Sequence, residues 1–307
     1  MNVNKIMQKD RSGIGTILIV VIVVVVLVAA AAAAYVVLSG NNDNSSDEAE
    51  ETTQILAPGT VMKYDEFNAA GLKTGTIEME ILGQNADEYF LKVTVMTGMV
   101  GAYSYNLEPK DSSDGATKTG TIQFDTIDGL KTLDVWTYPD GTKSYVDPES
   151  GIEYGGQIGS GSNASTLKLS VYSPVWQDED AYTESSNIGK TYEYVGTMTG
   201  STNNYAAKIV CVADCKNGQF GVMYDLNGSA LYFLSNNIQG LPTDTENTGV
   251  TDTMTGTIDG DKAVQLWKYP LSVGEITFCY DPASHLVYRF VIPQSSGNID
   301  FDLSKKP

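Results

Sequence analysis

The sequence predicts a mainly β protein: two tandem homologous antiparallel β modules, each a curled meander sheet or half-barrel, following one N-terminal transmembrane helix. Three observations predict it. An uncharged apolar run fills residues 14–38. Beyond it, apolar residues recur with period two and nowhere with a sustained period of 3.6, between turns rich in Gly, Asn, Asp, Ser and Pro. Finally, TIDGLKTLDVWTYP at residues 126–139 returns as TIDGDKAVQLWKYP at 257–270.

Residues 1–13 read as a short cytoplasmic leader. Ile14 to Leu38 then supplies 25 residues without a charge, about 37 Å as a helix against a hydrocarbon core of about 30 Å. In lipid, a helix is the form in which such a run satisfies its own backbone. Lys5, Lys9 and Arg11 precede it and Asp43, Asp47, Glu48, Glu50 and Glu51 follow it. The positive-inside rule therefore places the N-terminus in the cytoplasm and everything after residue 40 outside the cell membrane. A cleaved secretory signal is the rival reading, although the run exceeds the usual h-region of about 7–15 residues.

Residues 39–54 are polar and acidic and read as a stalk; 55–173 form the first repeat, 174–185 a second acidic linker, 186–304 the second repeat and 305–307 a tail. Beyond residue 40 stand 16 basic and 37 acidic side chains, a balance of −21. That surface repels nucleic acid and anionic head groups, so neither is an expected partner.

Within the first repeat, GTVMKY at 59–64 opens a strand that GKTYEY at 189–194 repeats in the second. Next, residues 77–95 fall without a gap on 207–225, two strand-like runs around a turn in each case. Ile77, Met79 and Ile81 alternate with Glu78 and Glu80, as a half-buried strand requires. After the tryptophan, YVDPESGIEY at 145–154 answers CYDPASHLVY at 279–288, and Leu167, Leu169 and Val171 answer Ile299, Phe301 and Leu303. Each repeat holds eight or nine such runs.

In the repeated phrase, Leu133 and Val135 share one face of their strand, with Val264 and Leu266 in the second copy; Trp136 and Tyr138, with Trp267 and Tyr269, point from the other. These four aromatics are the candidate ligand-binding residues: they either floor a hydrophobic hollow or fill a small core. In the turn within YVDPESGIEY, Asp147 and Pro148 pre-set the bend and Gly151 supplies a positive φ before the next strand. His285, the one histidine of the chain, holds that slot in the second copy, where histidine is tolerated in the left-handed region.

Cys211, Cys215 and Cys279 make an odd, sparse set. With His285 they have nominal zinc spacing, but Ile81, Asn85, Tyr145 and Gly151 stand at the matching places of the first copy, so no metal is expected; one bridge from Cys279 to either other cysteine stays open. Asp178, Glu179 and Asp180 offer oxygen ligands without the calcium-loop pattern. Sequons at Asn44, Asn163 and Asn227 suit an extracytoplasmic surface. GSGSNA at 159–164 reads as a linker. With no nucleophile elbow, phosphate loop or HExxH motif in the chain, the expectation is a non-enzyme without catalytic residues or cofactors.

Two resemblances follow. KDRSGIGTILIVVIVVVV, residues 9–26, resembles the archaeal class III signal sequences of pilins and related surface proteins, which implies processing near Gly13 with the helix retained on a membrane-anchored surface protein. The strand ending in Trp-x-Tyr-Pro, followed by Tyr-x-Asp-Pro-x-Ser-Gly and another strand, resembles a hairpin of envelope lipoprotein carriers of the LolA type. It covers residues 136–154 and 267–288 and implies a curved sheet whose hollow holds acyl chains. The expectation is a single-pass protein displaying two β modules for binding at the cell envelope, its partner an envelope polymer or a hydrophobic small molecule. The alternatives are a lipid or small-ligand carrier and a pilin-like subunit.

Overall fold

A computed structural model describes residues 54–110, 115–159, 164–203, 205–271, 274–294 and 297–307. The expected leader, the transmembrane run and residues 39–53 of the stalk lie outside the described residues, among which no helix is long and apolar enough to cross a membrane. The chain is mainly β and antiparallel. It divides into two compact units: residues up to 82 together with 87–183, and residues 83–86 together with 184–307.

The first unit holds β1 (Gln54–Leu56), β2 (Val61–Phe67), β3 (Lys73–Gln84), β4 (Glu88–Thr97), β5 (Val100–Pro109), β6 (Thr117–Thr126), β7 (Gly129–Thr137), β8 (Lys143–Val146), β9 (Glu153–Ile158), β10 (Ser165–Ser173) and β11 (Trp176–Asp178). Successive strands from β6 to β10 pair in a meander, β4 pairs with β5, and the ladder continues from β10 to β2 and from β2 to β3. The last long strand thus lies beside the first. Alternation on β3 buries Ile77, Met79 and Ile81 almost completely and leaves their neighbours at the surface, as the period of two demands.

One alternation breaks. Val171, expected beside Leu167 and Leu169, is exposed, because the register of β10 against β2 slips between Leu169 and Val171. Ser170 sits in that bulge, and its hydroxyl donates to the Lys63 carbonyl at 3.1 Å. An inserted residue turns every later side chain to the other face.

The expected linker is structured in its first part. Trp176–Asp178 forms β11, which pairs with β1, and a short 3-10 turn follows at Glu179–Ala181. Thr60 ties the entry and exit of the unit together: its hydroxyl donates to the Ala57 carbonyl and accepts from the Val175 amide, both at 2.9 Å. Ile55 and Leu56 are buried by this strap, and Leu56 joins the core.

The second unit holds β12 (Thr191–Met198), β13 (Tyr205–Cys215), β14 (Phe220–Leu226), β15 (Ser229–Ser235), β16 (Glu246–Thr257), β17 (Gly260–Leu271), β18 (Gly274–Asp281), β19 (Leu286–Gln294) and β20 (Gly297–Lys305). Its pairings run β15–β14–β13–β12–β20–β19–β18–β17–β16, again with first strand against last. Seven strand steps separate β15 from β17 in that order, about 34 Å in a flat sheet. Phe233 on β15 nevertheless meets Tyr269 on β17 with ring centroids 5.1 Å apart. The sheet therefore curls around its own side chains.

What it curls around is aromatic. Phe290 has no exposed surface and lies 5.0 Å from Tyr194, 5.4 Å from Tyr224 and 4.8 Å from Phe301, centroid to centroid. The preferred edge-to-face geometry recurs in most of these contacts. Phe290→Ala is expected to destabilise this unit by about 3–5 kcal/mol through lost burial and the void left behind, read as a lowered denaturation midpoint followed by tyrosine fluorescence.

Candidate functional site

The four expected site aromatics occupy matching ladder positions but unlike surroundings. Trp136 on β7 lies opposite Ser144 on β8; Trp267 on β17 lies opposite Phe278 on β18. Trp267 packs edge-on against Tyr280 at 5.9 Å, and Tyr269 against Phe233. Both belong to the periphery of the second unit's core. In the first unit Tyr138 is buried within the core, whereas Trp136 is half-buried and not part of that cluster. Their shared face ends where β7 ends: Tyr138 already lies in a turn, its amide donating to the Thr142 carbonyl at 2.9 Å.

The interior of the first unit is polar where that of the second is aromatic. Following the rows across the sheet from Trp136 leads to Ser144 on β8 and Gly156 on β9; the same row from Trp267 leads to Phe278 and Phe290. Glu153 stands opposite Val146, as Val287 stands opposite Tyr280. Glu153 is only 2 % exposed. Its Oε2, the Tyr138 hydroxyl and the Ser144 hydroxyl are buried beside one another, and none of the three makes a hydrogen bond of normal geometry among the described residues. Burial pushes the Glu153 carboxyl well above its ordinary 4.5, the neighbouring Ser144 hydroxyl acting the other way. A glutamate on a strand reads as a solvent-facing residue from sequence, and nothing in the local pattern marks this one as interior.

Glu108 on β5 is a second perturbed carboxyl, pushed from 4.5 up to about 8 by burial and then by the charge of Glu88. Both glutamates have the same sign of effect. An unfolded chain ionises near 4.5 while the folded chain holds these groups neutral, so the stability these two groups contribute is fully present in acid and is lost as pH rises, for Glu108 between about 4.5 and about 8.

A set of polar contacts recurs at one end of each unit. Tyr154 donates to Asp128 in the β6–β7 turn, and Tyr288 donates to Asp259 in the β16–β17 turn at 2.5 Å. In the turn after β8, the Ser150 hydroxyl bonds Asp147 at 2.9 Å; after β18, Ser284 bonds Asp281 at 2.7 Å. Gly151 and His285 hold the same slot with φ of 67° and 57°, as the turn chemistry required. His285 Nδ1 lies 2.7 Å from the Tyr280 hydroxyl. Lys131, 2.7 Å from Asp147, holds that carboxyl below its ordinary range against the opposing effect of burial.

The three cysteines are free, and burial pushes the thiols of Cys211 and Cys215 up to about 12 and that of Cys279 to about 11. They are poor nucleophiles in that state. Among the described residues no group of three or more His, Cys, Asp or Glu side chains is placed to hold a metal.

An open cleft lies on the outer face of the first unit. Its volume is about 480 Å³, and Phe67, Asn68, Phe124, Gln157, Thr166 and Lys168 are among its lining. Thr166 and Lys168 alternate with the buried Leu167 and Leu169, so the cleft faces away from the core. This feature was missed in sequence because its walls come from four strands far apart in the chain.

No family model matches the chain, nor does any curated protein or solved structure.

Glu153→Val is expected to stabilise the chain at pH 7 by about 1–3 kcal/mol, the cost of an unpaired buried polar group, and Glu108→Gln to flatten the fall in melting temperature between pH 5 and 8. Thermal melts across that range check both.

Proposed function

We propose that the chain is a single-pass, membrane-anchored protein that displays two copies of one β module outside the cytoplasm for binding at the cell envelope. What supports the copying is a set of hydrogen bonds written twice. Tyr64 donates to the Glu153 carbonyl at 3.2 Å and Tyr194 to that of Val287 at 2.8 Å. Thr126 donates to Gly129 at 2.7 Å and Thr257 to Gly260 at 2.5 Å. The bulge serine recurs too, Ser304 donating to the Glu193 carbonyl at 3.0 Å as Ser170 does to Lys63.

These contacts also refine the alignment of the copies. Tyr64 faces Leu169 and Tyr194 faces Leu303, so Leu167 corresponds to Phe301 and Leu169 to Leu303, two residues from the match that composition alone suggests. Likewise the buried residues of β4, Leu91 and Val93, correspond to Val222 and Tyr224. One extra residue in the second copy is absorbed at the turn Lys216–Gly218, where Asn217 takes a φ of 61°.

The observation that carries display rather than transport is the filled interior. Ile77, Ser144, Phe278 and Phe290 each have no exposed surface, which leaves an acyl chain no room beside them. A LolA-like carrier would need that space. A pilin-like subunit would instead be marked by a mature N-terminus beginning just after Gly13. The basic leader, the uncharged run and the acidic stalk support the anchor and its orientation.

In intact cells, added protease is expected to remove the region from residue 54 onward while an N-terminal epitope stays protected and resists alkaline carbonate extraction. Protection of the β units in intact cells, or release of the N-terminal epitope by carbonate, would refute the anchored, outward-facing reading.

A further inference from the structure

We propose that the outer cleft of the first unit binds a neutral saccharide. The cleft's volume of about 480 Å³ falls within the usual range of small-ligand sites, about 300–1,000 Å³. Its chemistry narrows the class of ligand.

The floor is a fixed aromatic ring. Phe124 on β6 lies against Tyr145 on β8, ring centroids 5.3 Å apart. It also passes over Gly155 on β9, where an added Cβ would stand 2.8 Å from the Phe124 ring and closer still to the Leu167 carbonyl. The glycine is what lets the ring lie on the sheet. A second ring, Phe67 at the end of β2, stands in one row with Thr166 on β10 and Gln157 on β9.

Polar groups surround these rings. Lys168 and Asp125 pair at 2.7 Å on the rim. Asn68 is held by its own turn, its Oδ1 accepting from the Ala70 and Leu72 amides at 3.0 Å each, which leaves its NH₂ group as a donor. The lining thus offers an apolar face together with an acceptor, a cation, two amides and a hydroxyl. A pyranose has the same two-sided character: C–H groups on one face suit an aromatic ring, and its hydroxyls both donate and accept.

Other ligand classes fit less well. An acyl chain would strip water from the Asp125–Lys168 ion pair and the Gln157 amide and give them no hydrogen bond in return. An anion would meet Asp125 on a surface whose overall balance is −21. The matching ladder positions of the second unit are built differently, for there Arg289 and Asp302 stand where Gly155 and Lys168 do, bonded to each other at 2.6 and 3.0 Å. The cleft is accordingly a property of one unit, and binding is expected once per chain.

This inference names a ligand for the proposed envelope display and rests on that reading only for where the saccharide is found. The test is calorimetric titration of the full-length chain, held in an amine-oxide detergent free of sugar, with maltotetraose, cellotetraose, chitotetraose and mannotetraose, and separately with oligogalacturonate and oleate. At least one neutral tetrasaccharide is expected to bind with one site per chain and a dissociation constant below about 1 mM. Asp125→Ala and Phe124→Ala should each weaken it at least tenfold. Asp125 is well exposed, so its variant keeps the test clear of misfolding, and an unchanged melting temperature confirms this. No tetrasaccharide binding at about 5 mM, binding that survives both substitutions, two sites per chain, or binding of oleate or oligogalacturonate alone would overturn the proposal. Because the purified chain is used, failure here leaves the display reading standing, and failure of protease accessibility leaves the saccharide site standing.

Discussion

Each unit depends on its last long strand lying beside its first. Without that pairing the first and last strands would be the far edges of a nine-strand meander; with it they lie at the middle of the ladder, which in the second unit ends at β15 and β16. Pairing β10 with β2, and β20 with β12, places the start and end of each unit side by side and forces the intervening strands around a common interior. The tyrosine near the middle of the first strand reinforces the arrangement. Tyr64 and Tyr194 each reach past the last strand to bond a carbonyl of the penultimate strand, and both are fully buried with that bond made.

Given that frame, the interior is free to vary. In the second unit Tyr224, Phe278 and Phe290 interlock, with centroid separations of 5.4 to 6.4 Å, which is the filling expected of a small sheet closed on itself. The corresponding places in the first unit are Val93, Ser144 and Gly156, and the neighbouring Val287 becomes Glu153. That unit exchanges aromatic packing for buried polar groups that lack partners, a cost borne by its stability. Its distinct chemistry appears on the outside, where Gly155 lets Phe124 form the floor of a cleft. Units that share a ladder of strand pairings thus differ inside and out.

Much of the frame was legible in the sequence. Alternation located the strands, runs of Gly, Asn, Asp, Ser and Pro marked the turns between them, and the Asp-Pro turn with Gly151 or His285 in its left-handed slot could be read from backbone sterics alone. What escaped is what depends on register. The bulge at Ser170 turns Val171 outward and shifts the alignment of the final strands by two residues, yet serine in a strand carries no local mark of a bulge. Tyr138 looked like a partner of Trp136 because β7 was read as continuing through it, whereas the Tyr138–Thr142 turn ends the strand one residue earlier. Glu153 has the sequence signature of a surface residue, and it is buried where β8 and the Tyr64 side chain of β2 meet it in the fold. The candidate cleft needed four strands in register before any of its residues became neighbours.

The most direct measurement is of cross-strand contacts in the full-length chain by isotope-filtered NMR, with tyrosine and leucine labelled. The account predicts contacts from Tyr64 to Leu169 and from Tyr194 to Leu303, since these pairs face each other where the first and last strands meet. Their absence while Tyr64–Ile77 and Tyr194–Ala207 contacts persist would show meanders that form without closing, and would contradict the account at its base.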